Sequence, residues 1–114
     1  MSQQANGIYP VTVKATAALT ANRFTTFAGA VPATTANALG VTRQTAAIGD
    51  AVTVDFLGSA IVEAGAAIAA GATVNSDATG RAITWASGAK LGLALQAASA
   101  AGAFIEVLLI PNVA

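Results

Sequence analysis

Apolar and polar residues alternate with a period of two in several parts of the chain. In residues 52–56 the side chains of Val52, Val54 and Phe56 point one way and the polar side chains between them point the other. Residues 11–14 show the same alternation, with two valines, a threonine and a lysine. This period is typical of a β-strand with one buried face, so both segments are predicted to be strands.

Two further strand pairs are predicted in the C-terminal half. Residues 73–76 and 81–85 flank a short connection that starts at an aspartate and ends at a glycine, which predicts a β-hairpin. Residues 91–96 and 104–110 form the second pair. The last segment is apolar on both faces of the strand, so we expect it in the middle of a sheet. Pro111, which has no N–H donor, is expected to end it.

Alanine is the main objection to an all-β fold, because it favours helices and is depleted in strands. Glycine and β-branched residues interrupt nearly every alanine run, and only residues 65–71 could form a short helix. Residues 16–37 are expected to form strands with loops. The predicted fold is therefore a small β-barrel or sandwich with at most one short helix.

One segment of the chain occurs twice. Residues 39–46 (LGVTRQTA) recur as residues 91–98 (LGLALQAA), at an offset of 52 residues (91 − 39). A glycine-containing turn and an apolar strand follow each copy. The recurrence predicts two related strand-turn-strand units, with chance similarity as the alternative in so biased a composition. Arg43 in one copy corresponds to Leu95 in the other.

Composition excludes several classes of chemistry. The chain has no Cys and no His, which removes disulfides, thiolate metal sites and the commonest general base. Only 9% of its residues are charged, against about 25% in ordinary domains. The basic residues are single and scattered: Lys14, Arg23, Arg43, Arg81 and Lys90. Without a basic patch, no direct contact with nucleic acid is expected.

The apolar runs are too short for a membrane helix, which needs about 20 apolar residues. Residues 64–72 are mostly alanine and glycine, and Glu106 interrupts residues 100–110. The first residues lack the charged and apolar regions of a secretory signal, so we expect the chain to be made and folded in a cytoplasm.

The weakly charged surface has a consequence for association. The chain is 55% hydrophobic with a mean hydropathy of +0.68, so Ala, Thr and Gly must fill much of its surface. Apolar surface of this kind tends to be covered by other proteins, and soluble monomers carry more charge. We therefore expect the working state to be an assembly; a monomer with a bland Ala/Thr surface is the alternative.

Candidate catalytic and metal sites are weak. Asp50 and Asp55 could be a carboxylate pair, but Asp50 is expected in a turn and Asp55 on the solvent face of a strand. Residues 75–80 are rich in oxygen ligands but lack the bidentate carboxylate of a calcium loop. No histidine activates the serines, which leaves open only a pairing with Lys14 or Lys90. No cofactor or metal is expected.

A series of short glycine- and alanine-rich elements runs through the chain: residues 39–41, 49–54, 68–74, 91–95 and 107–109, with Gly58, Asp77, Gly80 and Arg81 between them. In this order they resemble the capsid cement, or head decoration, proteins of tailed phages. The similarity covers residues 37–111. The sequence differs from the family pattern at Ala72, where an acidic residue is expected. The hydrogen bonding of that turn is therefore expected to differ from the family's.

The resemblance implies a compact β-barrel or sandwich with no enzymatic activity. Such a protein binds the major capsid protein on the outside of the virion, stabilises the head against the pressure of packaged DNA, and associates with itself as a homotrimer or, alternatively, a homodimer. No membrane partner is expected. The alternative from another class is a small ligand- or glycan-binding β-module, for which only Tyr9 and Trp85 supply aromatic rings with a polar group.

The chain is predicted to consist of a flexible N-terminal arm, residues 1–9, and one β domain, residues 10–114. The first seven residues of the arm are mostly polar or small and cannot build a core. Ile8, Tyr9 and Pro10 follow as an apolar anchor. Together with Trp85 they are the predicted assembly contacts, and a passive terminus is the alternative for the arm.

Overall fold

A computed structural model describes residues 10–110, and these residues form β-strands and no helix. The strands are β1 Pro10–Lys14, β2 Phe24–Thr25, β3 Gly40–Thr42, β4 Ala51–Asp55, β5 Gly58–Glu63, β6 Thr73–Ser76, β7 Ala82–Thr84, β8 Gly92–Ala94 and β9 Phe104–Leu109. They form two antiparallel sheets, ordered β1-β4-β3-β2 and β5-β9-β8-β6-β7. The predicted all-β fold is confirmed as a sandwich; the described strands do not close into a barrel.

The first sheet contains the two strands predicted from alternation. β1 and β4 pair along their whole length, from Pro10 opposite Asp55 to Lys14 opposite Ala51. Val52 and Val54 are buried, as the period of two predicts. Residues 16–37 contribute only the short strand β2, and loops account for the rest.

The second sheet contains the predicted hairpin and the predicted interior strand. β6 and β7 pair next to each other, and Ser76 lies opposite Ala82 at the closed end. β9 lies between β5 and β8, so both of its edges are hydrogen bonded and its interior position is confirmed.

The internal repeat is confirmed and is larger than the sequence predicts. Equivalent residues are paired across three strands of each sheet: Phe24, Val41 and Asp55 in the first, and Thr73, Leu93 and Leu108 in the second. Equivalent bridges also join Leu19 to Ala46 and Ile68 to Ala98. Residues 10–55 (the first unit) and 58–110 (the second unit) therefore share one topology, with β7 added to the second.

The alanine-rich segment 65–71 is a loop held by β-type contacts. Ile68 exchanges two backbone hydrogen bonds with Ala98, of 2.9 and 2.8 Å, and Gly71 has a positive φ of 86°. These constraints override the helix propensity of alanine. No helix in residues 10–110 is long and apolar enough to span a bilayer.

The hydrophobic core is divided unequally between the units. Leu19, Val52 and Val54 belong to a small cluster inside the first unit. The larger cluster fills the second unit, and it also includes Phe24 and Val41 from the first. One face of the first sheet therefore completes the core of the second unit, which fixes the arrangement of the two units and determines which surfaces remain open.

Candidate assembly surface

One side of the second sheet presents several large apolar side chains at the surface. Its side chains Ile61, Leu93, Phe104, Glu106 and Leu108, here called the outer face, point to the same side of the sheet as the polar Ser59, Glu63 and Thr73. Phe104 is 50% exposed and Leu108 is 42% exposed, and Ile110, just after β9, is 43% exposed. Large apolar side chains grouped in this way mark a contact with another protein more often than isolated ones do.

A buried carboxylate lies within the outer face. Glu106 is only 5% exposed, and its Oε2 accepts a hydrogen bond of 2.9 Å from the Ser59 hydroxyl. The Glu106 N–H donates to the side-chain oxygen of Gln96 at 2.9 Å. Because the carboxylate is already bonded within the chain, the groups that the face offers to a partner are mainly apolar.

The outer face follows directly from the sequence of β9. Residues 104–110 are apolar at both parities except at Glu106, so one parity fills the core with Ile105 and Val107 while the other faces outward. The sequence predicted a strand in the middle of a sheet and missed this exposed face. The double apolar pattern was the available signal, since an interior strand can still have one uncovered side.

On the equivalent side of the first sheet, Phe24, Val41 and Asp55, here called the covered face, are buried. Asp55 is 3% exposed, and its Oδ1 lies 2.7 Å from Nη2 of Arg43. The hydrogen bond to Asp55, reinforced by its charge, raises the pKa of Arg43 above its ordinary value. The expectation that Asp55 faces solvent is wrong, because β5 packs against β3 and β4 on this side.

The contact between the two units is closed by backbone and charged groups. The Glu63 N–H donates to the Asn22 carbonyl at 2.9 Å, and the Phe24 N–H donates to the Gly80 carbonyl at 2.8 Å. Gly80 has a φ of +86°, and a Cβ there would lie 2.9 Å from the Phe24 carbonyl oxygen. Arg23 forms an ion pair with Glu63 at 3.1 Å beside these bonds.

Of the predicted assembly contacts, Trp85 lies next to the outer face in the strand register: its N–H donates to the carbonyl of Thr73 at 2.8 Å, and Thr73 pairs with Leu93. Trp85 follows β7 and is half-buried; its Nε1 donates to the Gly88 carbonyl at 3.0 Å. The Lys90 Nζ lies 4.7 Å from the centre of its ring. Pro10 opens β1 in the first sheet. Ile8 and Tyr9, like the rest of the predicted arm 1–9, lie outside the described residues.

Asp50 and Asp77, which were considered for catalytic or metal-binding roles, are turn residues in the structure. The Asp50 carboxylate accepts from the Ala47 N–H at 3.0 Å, which confirms its turn role. The Asp77 Oδ1 accepts from the N–H groups of Thr79 and Arg81 and from the Thr79 hydroxyl. Burial acts to raise the pKa of Asp77, but these bonds and the Arg81 charge lower it overall. In residues 10–110, no three acidic residues are grouped to hold a metal ion.

Comparison with known proteins agrees with this architecture. No curated protein matches the chain. The head fiber gp8.5 N base in bacteriophage phi29 has a similar fold in its crystal structure, with a TM-score of 0.74 and 18% sequence identity over 91% of this chain and 95% of that one. The family described as phage cement protein matches residues 2–109, which confirms the resemblance noted in the sequence. The chain therefore belongs to the phage cement protein family and has a structural role on the phage capsid.

Proposed function

We propose that this protein is an oligomeric clamp on the outer surface of a tailed-phage head, where it binds the major capsid protein and stabilises the shell against packaged DNA. The observation that carries the proposal is the outer face, where Leu108 and Phe104 are half exposed on a chain with only 9% charged residues. Such a surface is poorly suited to a monomer in water and well suited to a permanent contact.

The proposed mechanism is multivalent clamping. Each subunit contributes a modest contact, and many copies around neighbouring capsid subunits act together, so that avidity makes weak individual contacts sufficient. A closed homotrimer would hide the outer faces, with a homodimer as the alternative. The chain works through contact area and has no catalytic step, cofactor or nucleic-acid contact in this proposal.

The N-terminal arm is proposed as a second contact. Ile8, Tyr9 and Pro10 would anchor residues 1–9, which can extend about 30 Å, to a neighbouring subunit or to the capsid. Deleting residues 1–7 should leave the circular dichroism and thermal melting of the isolated protein unchanged and weaken its binding to capsids. Equal occupancy on particles with the shortened chain would show that the arm is passive.

The cement function is tested by adding the purified protein to phage heads that lack it. We expect the protein to occupy regular positions on the outside of the head by electron microscopy and to raise the temperature at which the heads release DNA. The matched control is the same heads without added protein. Failure to bind, or binding with no change in heat resistance, would contradict the proposal.

The alternative ligand- or glycan-binding function has little support. A concavity of about 250 Å³ lies between the units, lined by residues that include Leu19, Arg23, Phe24 and Thr79. It is smaller than most ligand sites, and its aromatic side chain, Phe24, is buried in the core. A second groove of about 370 Å³, beside Val41 and Asp55, is large enough for a ligand but has no aromatic side chain in its lining. Trp85 lies against Lys90 instead. Binding to a glycan array would nevertheless revive this function.

A further inference from the structure

β1 is an edge strand, and its outer edge has no partner strand in the part of the chain that the structure describes. The Ala15 N–H donates to the Asp50 carbonyl at 2.9 Å, and the Gly49 N–H donates to the Ala15 carbonyl at 2.8 Å, so Ala15 is bonded toward β4. Successive residues of an antiparallel strand direct their backbone groups to opposite edges. The N–H and C=O groups of Thr12 and Lys14 therefore point away from β4, toward the open edge.

The open edge has a defined end on each side. Past Lys14 it is closed, because the Thr16 N–H donates to the Gly29 carbonyl at 3.0 Å. Gly29 has a φ of +80°, and an added Cβ there would overlap the Lys14 carbonyl oxygen, so this carbonyl has no room for a further partner. At the other end, Pro10 has no N–H donor. The edge thus offers both groups at Thr12, only the carbonyl at Pro10 and only the N–H at Lys14.

We propose that β1 pairs with β1 of a second copy of the chain, antiparallel and about a two-fold axis at Thr12, so that the first sheets of the two copies join into one. The inference rests on the proposed function in taking a second copy as the partner, and it identifies a contact separate from the outer face. A two-fold contact is complete with two chains, so it favours the homodimer over the homotrimer.

The edge is complementary to itself in this register. Thr12 lies opposite Thr12 of the second copy, and the two residues exchange N–H···O=C bonds in both directions. Lys14 lies opposite Pro10 of the second copy, whose carbonyl accepts from the Lys14 N–H. The pairing leaves no N–H of the open edge without an acceptor. Lysine and proline on an edge discourage pairing with unrelated strands, so these residues favour a second copy over another partner.

The side chains of β1 suit the same register. Val11 lies opposite Val13 of the second copy, on the side where both valines pack against the smaller core and are only partly buried. Cross-strand pairs of β-branched residues stabilise a sheet. The two Lys14 side chains lie at opposite ends of the pair, about 13 Å apart along the strands. Salt screens charges beyond about 8 Å, so their repulsion is small.

The first test uses the full chain with opposite charges at the two-fold position. Like charges would face each other in a dimer of Thr12→Lys or of Thr12→Glu, so each variant should sediment as an 11.1 kDa monomer, and an equimolar mixture should form dimers. The Thr12 side chain is exposed, so both variants should keep the wild-type circular dichroism. Thr34→Lys and Thr34→Glu, at an exposed loop threonine, are the matched controls and should be dimers like the wild type.

A cysteine at the same position tests the register. The chain has no cysteine of its own. The Cα atoms of a hydrogen-bonded antiparallel pair are about 5.5 Å apart, a distance that a disulfide spans. Thr12→Cys should therefore form a covalent dimer on mild oxidation, whereas Thr34→Cys should remain a single chain on a non-reducing gel.

Three results would overturn the pairing: a wild type that is monomeric at every concentration, charge variants that stay dimeric, or a Thr12→Cys variant that does not cross-link. Thr12→Pro removes the outward N–H and no bond between β1 and β4. If the wild type is monomeric and Thr12→Pro no longer binds phage heads, the edge binds a strand of the capsid instead. The cement function fails separately, since a β1-paired dimer that does not bind heads would keep the pairing and contradict that function.

Discussion

At one pair of equivalent positions, the first unit has a buried charged residue and the second unit has an exposed apolar residue. Asp55 is 3% exposed in the first unit, whereas its counterpart Leu108 is 42% exposed in the second. A monomer would be expected to show the reverse, since acidic residues are almost never fully buried without a partner. Burial of equivalent positions therefore depends on the packing of the two units: β5 packs over Asp55 in the first sheet, whereas Leu108 and Phe104 of the second sheet keep about half of their surface exposed.

The two kinds of residue also suit two kinds of contact. The ion pair of the buried Asp55 carboxylate with the half-exposed Arg43 guanidinium adds little net stability, but it favours one geometry. This is enough for two units already joined in one chain. A contact between separate chains must offset the entropy of association, and apolar area contributes about 25 cal/mol per Å² to it regardless of direction.

The largest loss of stability is expected from a substitution at Phe24, the residue of the covered face that packs in the larger core. Phe24→Ala should lower the free energy of unfolding by about 3 to 5 kcal/mol, because Phe24 is fully buried between the two units. Thr73 occupies the equivalent position in the second unit and is only partly buried. Thr73→Ala should therefore cost about 1 kcal/mol or less in urea unfolding. Equal losses at both positions would contradict the asymmetry of the two units.

The ion pair of the covered face should give the next largest effect. Arg43→Leu leaves the buried Asp55 carboxylate without its counter-ion, which should cost about 1 to 2 kcal/mol, because the Arg43 side chain is 47% exposed and water screens the pair. The double variant Arg43→Leu with Asp55→Leu gives the first unit the residues of the second, and most of the lost stability should return. Thermal melting of the three proteins measures this. A double variant no more stable than Arg43→Leu would show that the charge itself is required.

The hairpin turn of the second unit predicts an acid-sensitive contribution. The pKa of Asp77 is lowered below its ordinary 3.8, so the folded state binds this proton less tightly than the unfolded chain. The stability that Asp77 contributes is present above pH 3.8 and is lost as the pH falls through the lowered pKa. Asp77→Asn should cost about 1 kcal/mol at pH 7, and the difference from wild type should shrink below pH 3.8. A constant difference across that range would exclude the carboxylate as its source.

The sequence predicted most of the fold, because strand period and turn chemistry are local properties. The alternation in residues 52–56 and the turn residues Asp77 and Gly80 correctly gave β4 and the β6–β7 hairpin. The recurrence of residues 39–46 revealed the repeat. The first part of each unit was not recognised as repeated in the sequence. Leu19 and Ile68 are equivalent by position in the fold, but they lie in alanine-rich segments where sequence similarity carries little information.

The sequence could not predict which faces are covered. Asp55 was expected in solvent because the local pattern places it opposite two buried valines, and only the packing of β5 reverses this. The interior position of β9 was predicted correctly, but the apolar pattern gave no sign that Leu108 would stay exposed. Both points depend on contacts between distant segments, which the period of a strand does not encode. Trp85 was chosen for its residue type, and its assembly role stays a prediction.

The smallest loss of stability in an isolated chain is expected from a substitution at Leu108 on the outer face. Leu108→Ala should lower the free energy of unfolding by less than about 1 kcal/mol, because its side chain is already 42% exposed. The adjacent Val107 is fully buried, so Val107→Ala is a matched control that should cost about 2 to 3 kcal/mol. Both are measured in dilute solution. As concentration rises, the melting temperature of the wild type should rise through mass action, and that of Leu108→Ala should not. If Leu108→Ala costs as much as Val107→Ala when dilute, the outer face is already packed within one chain, and the contrast with Asp55 fails.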